Sequence, residues 1–371
     1  RSNLRPSIGS RGAHLAVAPA RSRMTVGTEI VRYCTRKQSL GRAERAVSAV
    51  GAQQRPHNPH ILGSAAAGAF RNAMEAAAYK RLYPHEYYEK FVREGARPDG
   101  RPLGRARPVS VARGVVSTAD GSSLVKIGRT TALAAVKLEV VTPTLDAPDE
   151  GNIDVTVELP PMCSATTRPG RVSEEAAYCS RRVADVLHDA KVVDPKLLCI
   201  DPGKFAWRVC LDVYVLDHDG CVLDAAVLAA NGALRDCVVP VVSVDERGEV
   251  SVGAKASGGA GDAAAENEGG EKTKKRKTTT TMKRCEVTTN VAPVSLTTGL
   301  YRGRLIVDPN SEEESLMEAA VTVCVDDSGA VVAVLKPGGD AEATETQIAH
   351  CVAAARARHE TCAKAMRDAF S

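Results

Sequence analysis

The chain has 371 residues, of which 44% are apolar and only 4% aromatic, so its core must rest on aliphatic side chains. No run of 18 uncharged apolar residues exists, which argues against a membrane-spanning helix. The net charge of +4 is uneven: residues 1–73 hold 12 basic and 2 acidic residues and carry +10, which leaves −6 for the rest. The basic character therefore belongs to the N-terminal stretch, and the body of the protein is mildly acidic.

Residues 1–73 are rich in Arg, Ala, Ser and Gly and show no clear hydrophobic period. Three interpretations stay open for this stretch: an organelle transit peptide, upstream sequence that is not translated, and a genuine basic tail. Because Met74 opens a plausible protein start, we expect the mature protein to begin at or near this residue.

Eleven cysteines are scattered along the chain, with no C-x-x-C pair and no zinc-ligand spacing to a histidine. Several, such as Cys210 and Cys324, lie inside strand-like apolar runs. We therefore expect buried, reduced thiols of an intracellular protein, and we predict neither a metal site nor a cofactor.

The first predicted elements are a short helix and a group of strands. Residues 82–93 are typical of an amphipathic helix, with Pro84 in its first turn. Strand-like runs follow at residues 108–141 and 155–159, with polar and apolar residues alternating in the second run.

A strand between two helices comes next. The first helix is predicted at 173–191, with Ser173 as its N-cap. The strand at 208–216 places four apolar residues on one face: Val209, Leu211, Val213 and Val215. After the Asp219-Gly220 turn, a second helix is predicted to run as far as Leu234.

Residues 253–284 interrupt this pattern, because Gly, Ala, Glu, Lys and Thr dominate and no bulky apolar residue occurs before Met282. Such a segment cannot offset its ordering entropy, so we predict a disordered insertion. The basic run from Lys272 to Arg284 is typical of a solvated charged segment, a nuclear localisation signal or a loose RNA contact.

Strands resume at 287–308 and 319–335, and a long C-terminal helix closes the chain. Seven residues of this helix recur at intervals of three and four and form an apolar stripe: Ile348, Val352, Ala355, His359, Cys362, Met366 and Phe370. We therefore interpret His359 as a packed core histidine. The order of elements predicts a layered α/β fold of the α+β type.

Several short stretches, in this order and spacing, together resemble one family. They are Arg97-Pro98-Asp99-Gly100-Arg101, the run from Ser117 to Gly128, Val136 to Glu139, Asp146 to Gly151, Leu198 to Lys204, Leu216 to Gly220, Ile306 to Pro309 and Lys336 to Gly339. The chain resembles the RNase PH-like subunits of the eukaryotic RNA exosome from about residue 82 onward, apart from the insertion. Within that family, Leu159 to Ser164 and the Ser-Thr-Ala-Asp-Gly segment favour one particular ring subunit.

The resemblance implies an RNase PH-like domain made of two βαβα-type halves, with mixed sheets packed on helices. Its first part would span residues 74–252 and its second part residues 285–371. The implied partners are other RNase PH-like subunits in a six-membered ring, S1/KH cap subunits, and RNA in the central channel, with no membrane. The implied roles are rRNA maturation and mRNA turnover, in the nucleus and nucleolus and also in the cytoplasm.

Active members of the family cleave RNA with inorganic phosphate, which is held by a Gly-Thr-Arg or Gly-Ser-Arg set at a helix N-terminus. The positions that match this set read Cys221, Val222 and Leu223, so the arginine is replaced by an apolar residue. Asp224, directly after them, is expected to repel a phosphate. The implied phosphate site is therefore degenerate.

Active members also use two carboxylates, spaced two residues apart, in metal and general-acid roles. The matching positions read Glu318 and Ala320, so one carboxylate is missing. With both halves of the site degenerate, the sequence predicts a catalytically silent scaffold.

Two further groups of polar residues have weaker functional interpretations. Arg168 and Arg171 flank a Pro-Gly pair in a loop that faces the channel in this family, so they could bind RNA phosphates, although plain solvent exposure explains them equally well. The run from Asp217 to Asp219 could suggest a metal cluster. Because Asp and Gly are expected at a strand end before a turn, we do not predict one there.

Two alternatives to the scaffold remain. One is an active phosphorolytic 3′-to-5′ exoribonuclease, which the family allows but the residues at 221–223 oppose. The other is an organelle-targeted RNA enzyme, which would require residues 1–73 to be a genuine transit peptide.

Overall fold

The computed structural model describes residues 76–165, 167, 173–240, 242–244, 250–252, 280–281, 285–286 and 291–371. The N-terminal extension, the pair Arg168 and Arg171, and the basic residues Lys274 to Lys277 lie outside this part of the chain. The predictions made for them therefore stay predictions.

The first sheet is built around its longest strand, β6, and its order is β1-β2-β3-β6-β4, with β5 also paired to β6. Its strands are β1 Val109–Arg113, β2 Gly121–Ile127, β3 Thr130–Val141, β4 Asn152–Glu158, β5 Cys199–Asp201 and β6 Phe205–Asp217. The pairing of β4 with β6 is parallel and the others are antiparallel, so this sheet is mixed. The predicted apolar face of β6 is confirmed, because Val209, Leu211, Val213 and Val215 are fully buried.

Helices of the described residues that accompany the sheets include α1 Pro84–Arg93, α2 Glu174–Asp189, α3 Val222–Asp236, α4 Ser311–Glu314 and α5 Glu345–Phe370. Every residue of α3 from Val222 to Leu234 is buried. The helix lies between the two sheets, contacting β1, β2, β3 and β6 on one side and β12 of the second sheet on the other. Small residues allow this close packing: a Cβ at Gly232 would lie 2.8 Å from Ser123.

The second sheet is antiparallel throughout and has the order β13-β12-β14-β15. Its strands are β12 Val294–Tyr301, β13 Arg304–Val307, β14 Ala319–Val325 and β15 Val331–Leu335. The long helix α5 packs on β12 and β14 and also contacts β1 of the first sheet. The predicted layered fold is confirmed, although only the first sheet is mixed.

Short strands frame the predicted insertion. β7 Val238–Val239 pairs with β11 Cys285–Glu286, and β8 Val242–Val244 pairs with β9 Val250–Val252 and with β10 Thr280–Thr281. Apart from Thr280 and Thr281, residues 253–284 lie outside the described part of the chain, so the predicted disordered insertion stays a prediction. The β-branched threonines of this run favour an extended strand, and β8 offers them a partner.

Two local predictions need correction, and a neighbouring arginine was not anticipated. Ser173 stands at the N-cap of α2, but its side chain makes no capping bond. On α5, Arg358 is buried, and it donates to the backbone oxygen of Arg107 at 2.7 Å. The neighbouring His359 is half-buried, not packed in the core, and its Nε2 lies 3.1 Å from Asp327 Oδ1. Hydropathy alone missed the burial of Arg358 because its partner, the backbone oxygen of Arg107, lies far away in the sequence.

The cysteines follow the expectation wherever the structure describes them. Nine cysteines have described side chains; all nine are free thiols, and only Cys199 among them is not buried. No helix of the described part of the chain is both long and apolar enough to cross a bilayer.

Candidate functional site at the start of helix α3

The positions that match the family's phosphate site lie where the resemblance places them, at the first turn of α3. Val222 is the first helical residue, and Cys221 precedes it in a left-handed conformation, with φ 51° and no side-chain cap. Cys221, Val222 and Leu223 are all buried, and the Cys221 thiol donates to the backbone oxygen of Pro309 at 3.2 Å. The turn is therefore closed by protein atoms, and its side chains are apolar.

A carboxylate of the protein lies at this helix start. The Glu314 side chain is close enough to the backbone N–H of Cys221 for that group to act on its ionisation. Burial raises the pKa of Glu314, and the nearby charges of Glu175 and Asp224 raise it further, while His218 and the Cys221 N–H oppose the shift. A helix N-terminus favours an anion, and at this one the chain places a carboxyl group of its own.

Residues 220 and 309–311 are in close contact beside this carboxylate. Gly220 has φ +80°, and a Cβ added there would lie 2.7 Å from the Asn310 carbonyl carbon and 2.8 Å from the Pro309 oxygen. Only glycine fits this conformation without strain. The Asp219-Gly220 turn, which the sequence explains as a loop signal, is thus also a packing contact.

A buried arginine joins the first sheet to the segment after β13. The Arg107 guanidinium forms a paired contact with Asp308, with Nε 3.1 Å from both carboxylate oxygens and Nη2 2.7 Å from Oδ1. It also donates to the backbone oxygens of Asp219 and Gly220. Burial alone would raise the pKa of Asp308, yet the Arg107 bonds hold it below its usual value.

A second buried arginine explains the Arg-Pro-Asp-Gly-Arg stretch. Arg97 is only 1% exposed, and its guanidinium donates to the backbone oxygens of Leu103, Val307 and Asp308. Its Nη1 also lies 3.4 Å from Glu313, whose side chain completes a capping box at α4. The stretch is a turn, as predicted, and Arg97 in addition fixes the backbone that carries Asp308.

The acidic residue after the triplet has a different role from the one predicted. Asp224 accepts bonds from Thr297 of β12, at 2.8 Å from the backbone nitrogen and 3.1 Å from Oγ1. The second sheet therefore binds the Asp224 carboxylate, which holds α3 to β12 in addition to any repulsion of an anionic ligand. Burial raises the pKa of Asp224 to about 6, and the charge of Asp308 adds to the shift.

The predicted carboxylate positions lie further along the second sheet. Glu318 is exposed, and its backbone N–H donates to Leu300. Ala320, on β14, faces Gly299 in the register with β12. Leu300 is three residues from Thr297, so Glu318 lies roughly 10 Å along the strand from the contact with α3. The structure does not bring Glu318 and the start of α3 into contact.

The Asp217 to Asp219 run forms bonds within the protein. His218 Nε2 lies 3.1 Å from Glu175, the Gly220 N–H donates to Nδ1 at 3.2 Å, and the His218 N–H donates to Cys163 at 3.1 Å. The bond to Glu175 raises the pKa of His218. No cluster of metal-binding side chains occurs in the described residues.

Comparison with known proteins identifies the class. The model of domain 1 of the 3′ exoribonuclease family, RNase PH, matches residues 105–240, and that of domain 2 matches residues 292–358. The chain therefore belongs to the RNase PH family of 3′ exoribonucleases. Arg107, Cys221 and Asp224 lie in domain 1, whereas Thr297 and Asp308 lie in domain 2. We call these five residues, with Glu314, the interdomain seam.

Its curated relatives are exosome subunits. The chain is 34% identical over 264 residues to exosome complex component Rrp42 of Methanopyrus kandleri, with 71% of this chain and 88% of the relative covered. Its identity to Rrp42 of Saccharolobus islandicus is 37% over 257 residues, with 69% and 84% covered.

Solved structures agree with this assignment. A chain of the Archaeoglobus fulgidus exosome, solved with RNA bound to the active site, matches with a TM-score of 0.60 and 29% identity, covering 77% of this chain and 97% of that one. An archaeal exosome core chain has a TM-score of 0.59 at 24% identity, with 81% and 100% covered, and shows the shared fold.

Proposed function

We propose that this protein is a ring subunit of an RNA exosome that supports 3′-to-5′ RNA processing as a scaffold and performs no phosphorolysis itself. Membership of the ring follows from its similarity to exosome subunits over most of their length. The absence of catalysis is the finer part of the proposal and rests on the seam.

The observation that carries this proposal is the occupancy of the α3 start by the protein's own groups. Leu223 is buried where active relatives would present an arginine, so no guanidinium faces the helix N-terminus from this position. Glu314 already supplies an anion there, and Asp224 and Glu175 add negative charge close by. A phosphate dianion would therefore meet repulsion in place of a fork of donors.

The surfaces that remain free suit assembly. Among the described residues, β4 pairs only with β6 and β15 only with β14. Each of these two strands therefore has one side without a strand partner. Exposed edges present rows of backbone donors and acceptors to another chain. We propose that other RNase PH-like subunits pack here in a six-membered ring, with S1/KH subunits as a cap and RNA in the channel.

The subunit type and the location in the cell form a separate proposal. The stretch Leu159 to Ser164 and the Ser117 to Gly121 segment favour the eukaryotic subunit called ribosomal RNA processing protein 43, with rRNA maturation and mRNA turnover as its processes. We propose a nuclear and nucleolar location with a cytoplasmic pool, in line with the basic run at 272–284. Mass spectrometry of proteins copurified with the native chain, together with imaging of a Lys274–Lys277 alanine variant, tests both.

Assembly is tested by expressing residues 74–371 alone and with candidate ring subunits, then measuring mass by light scattering. We expect a stable complex only with a second RNase PH-like chain, and self-association or low solubility without one, because obligate interfaces are large and apolar. A soluble monomer that binds none of the ring subunits would reject the role in the exosome.

The alternative of an active phosphorolytic exoribonuclease is tested separately. The purified chain is incubated with a 3′-labelled RNA and inorganic phosphate, and released nucleoside diphosphate is measured. We expect none. Phosphate-dependent release by the chain alone would reject catalytic silence while leaving exosome membership intact.

A further inference from the structure

The end of β13 leaves a gap in the second sheet. β13 stops at Val307, and Asp308 turns the chain away with φ +52°. The last hydrogen bond of this edge runs from the Asp308 N–H to the Thr297 oxygen, at 2.9 Å. The N–H and C=O of one strand residue point to the same side, so the Thr297 N–H faces the place where the strand partner has ended.

Asp224 fills that gap from the other domain. Its Oδ2 accepts the Thr297 N–H at 2.8 Å, and its Oδ1 accepts the Thr297 hydroxyl at 3.1 Å. The same hydroxyl lies 2.8 Å from Thr322 Oγ1 on β14, which extends the network across the sheet. As the third residue of α3, Asp224 stands where an acid ordinarily bonds back to its own helix N-cap. Here it bonds across the seam instead.

We propose that Asp224 is an interdomain joint: its carboxylate substitutes for the missing end of β13 and couples domain 1 to domain 2, more weakly as the pH rises. This inference rests on the fold and the seam contacts, and it does not depend on the proposed role in the exosome.

The proton dependence follows from the partners of the carboxylate. Asp224 is 5% exposed, and the groups that bond to it, the backbone N–H and the hydroxyl of Thr297, are neutral. The charged and titratable groups around it are Asp308 after β13, Glu314 on α4, Arg358 on α5 and four thiols, namely Cys179, Cys221, Cys324 and Cys362. The carboxyl groups of Asp308 and Glu314 disfavour a negative charge on Asp224. Arg358 donates to the backbone oxygen of Arg107.

The sign of the effect is fixed by the direction of the shift. Burial raises the pKa of Asp224 from 3.8 to about 6 in the folded protein. The stability that this group contributes is therefore fully present below pH 3.8 and is lost as the pH rises through about 6. A shift of about two pKa units corresponds to about a 100-fold change in the folding equilibrium constant.

The experiment compares Asp224→Asn, Asp224→Ala and the wild type in the full chain, with Asp368→Asn, at an exposed site on α5, as the matched control. Urea unfolding is followed from pH 4 to pH 8. Asparagine keeps an oxygen for the Thr297 N–H but cannot ionise. Relative to Asp224→Asn, the wild type should lose about 100-fold in the folding equilibrium constant as the pH rises. Relative to Asp368→Asn, the wild type should show no such trend.

Hydrogen exchange supplies an independent readout of the joint. In Asp224→Ala the Thr297 amide should exchange about 10- to 100-fold faster, since a bond to a charged acceptor is lost, while the amides of β2 keep their protection. In Asp224→Asn the Thr297 amide should stay protected. If Asp224→Ala does not fold, the Asparagine variant still decides the matter. Equal pH profiles for wild type and Asp224→Asn, or an unprotected Thr297 amide in the wild type, would overturn the proposal.

Discussion

The start of α3 and the outer groove between β4 and β15 are two regions with opposite character. At the start of α3, buried side chains bond to one another across the seam, and Arg107 and Asp308 are paired at 2.7 Å. The groove is open, holds about 950 Å³, and is lined by apolar residues such as Ile153 and Leu335 together with charged ones such as Arg182. The side chains at the start of α3 are committed to internal bonding, whereas the groove leaves an accessible surface.

The largest loss of stability is expected when the central ion pair of the seam, Arg107 with Asp308, is removed. Arg107→Ala would leave Asp308 buried without its cation, at a cost of about 3–5 kcal/mol in the free energy of unfolding. The matched control, Arg105→Ala, removes an exposed side chain and should cost no more than about 0.5 kcal/mol. Urea denaturation of both variants measures the difference, and equal costs would contradict a structural seam.

A smaller effect is expected at the tight turn before α3. Gly220→Ala should cost about 1–3 kcal/mol for its left-handed backbone, plus a further cost for the 2.7 Å approach to Asn310. Gly203 has a similar φ of +77° but no atom within 4 Å of an added Cβ, so Gly203→Ala carries the backbone cost alone. The melting temperature of Gly220→Ala should therefore be lower than that of Gly203→Ala. The reverse order would show that the turn is loosely packed.

The smallest effect on stability, with a large effect on assembly, is expected at the edge of the second sheet. Val334 on β15 is 45% exposed, so Val334→Lys should change the free energy of unfolding by no more than about 0.5 kcal/mol. A lysine on an edge strand opposes pairing with another chain, and copurification with a family partner should fall. Leu145→Lys, at a loop position 99% exposed, is the control and should retain the partner.

The sequence predicted most of the regular elements because their side chains follow simple periods. β6 and α5 are examples: their apolar residues recur at two and at three to four, and both elements are present. The parallel pairing of β4 with β6 could not be read from the sequence, since it depends on contacts between distant segments. The pairing of Thr280 and Thr281 with β8 could not be read from the sequence either, since a strand of two residues has no period.

The contacts of the interdomain seam could not be predicted from the sequence. Arg97, Arg107 and Arg358 are ordinarily surface residues, and only the fold shows that backbone oxygens and Asp308 surround them. The triplet at 221–223 was readable, because an apolar residue in place of an arginine is visible in the sequence itself. Glu314 was not, since its approach to α3 depends on the turn after Asp308. The one available signal was a run of three glutamates, Glu312 to Glu314, two residues after the Asp308-Pro309 pair.

The central claim, that the start of α3 serves structure and not phosphorolysis, is tested most directly in the assembled ring. A complex reconstituted with wild-type chain is compared with one that carries Leu223→Arg, and the phosphate-dependent release of nucleoside diphosphate is measured. We expect the two complexes to release nucleoside diphosphate at equal rates, because Ala320 still lacks a carboxylate and Glu314 still lies at the helix start. A phosphate-dependent rate that rises with the single restored arginine would contradict it.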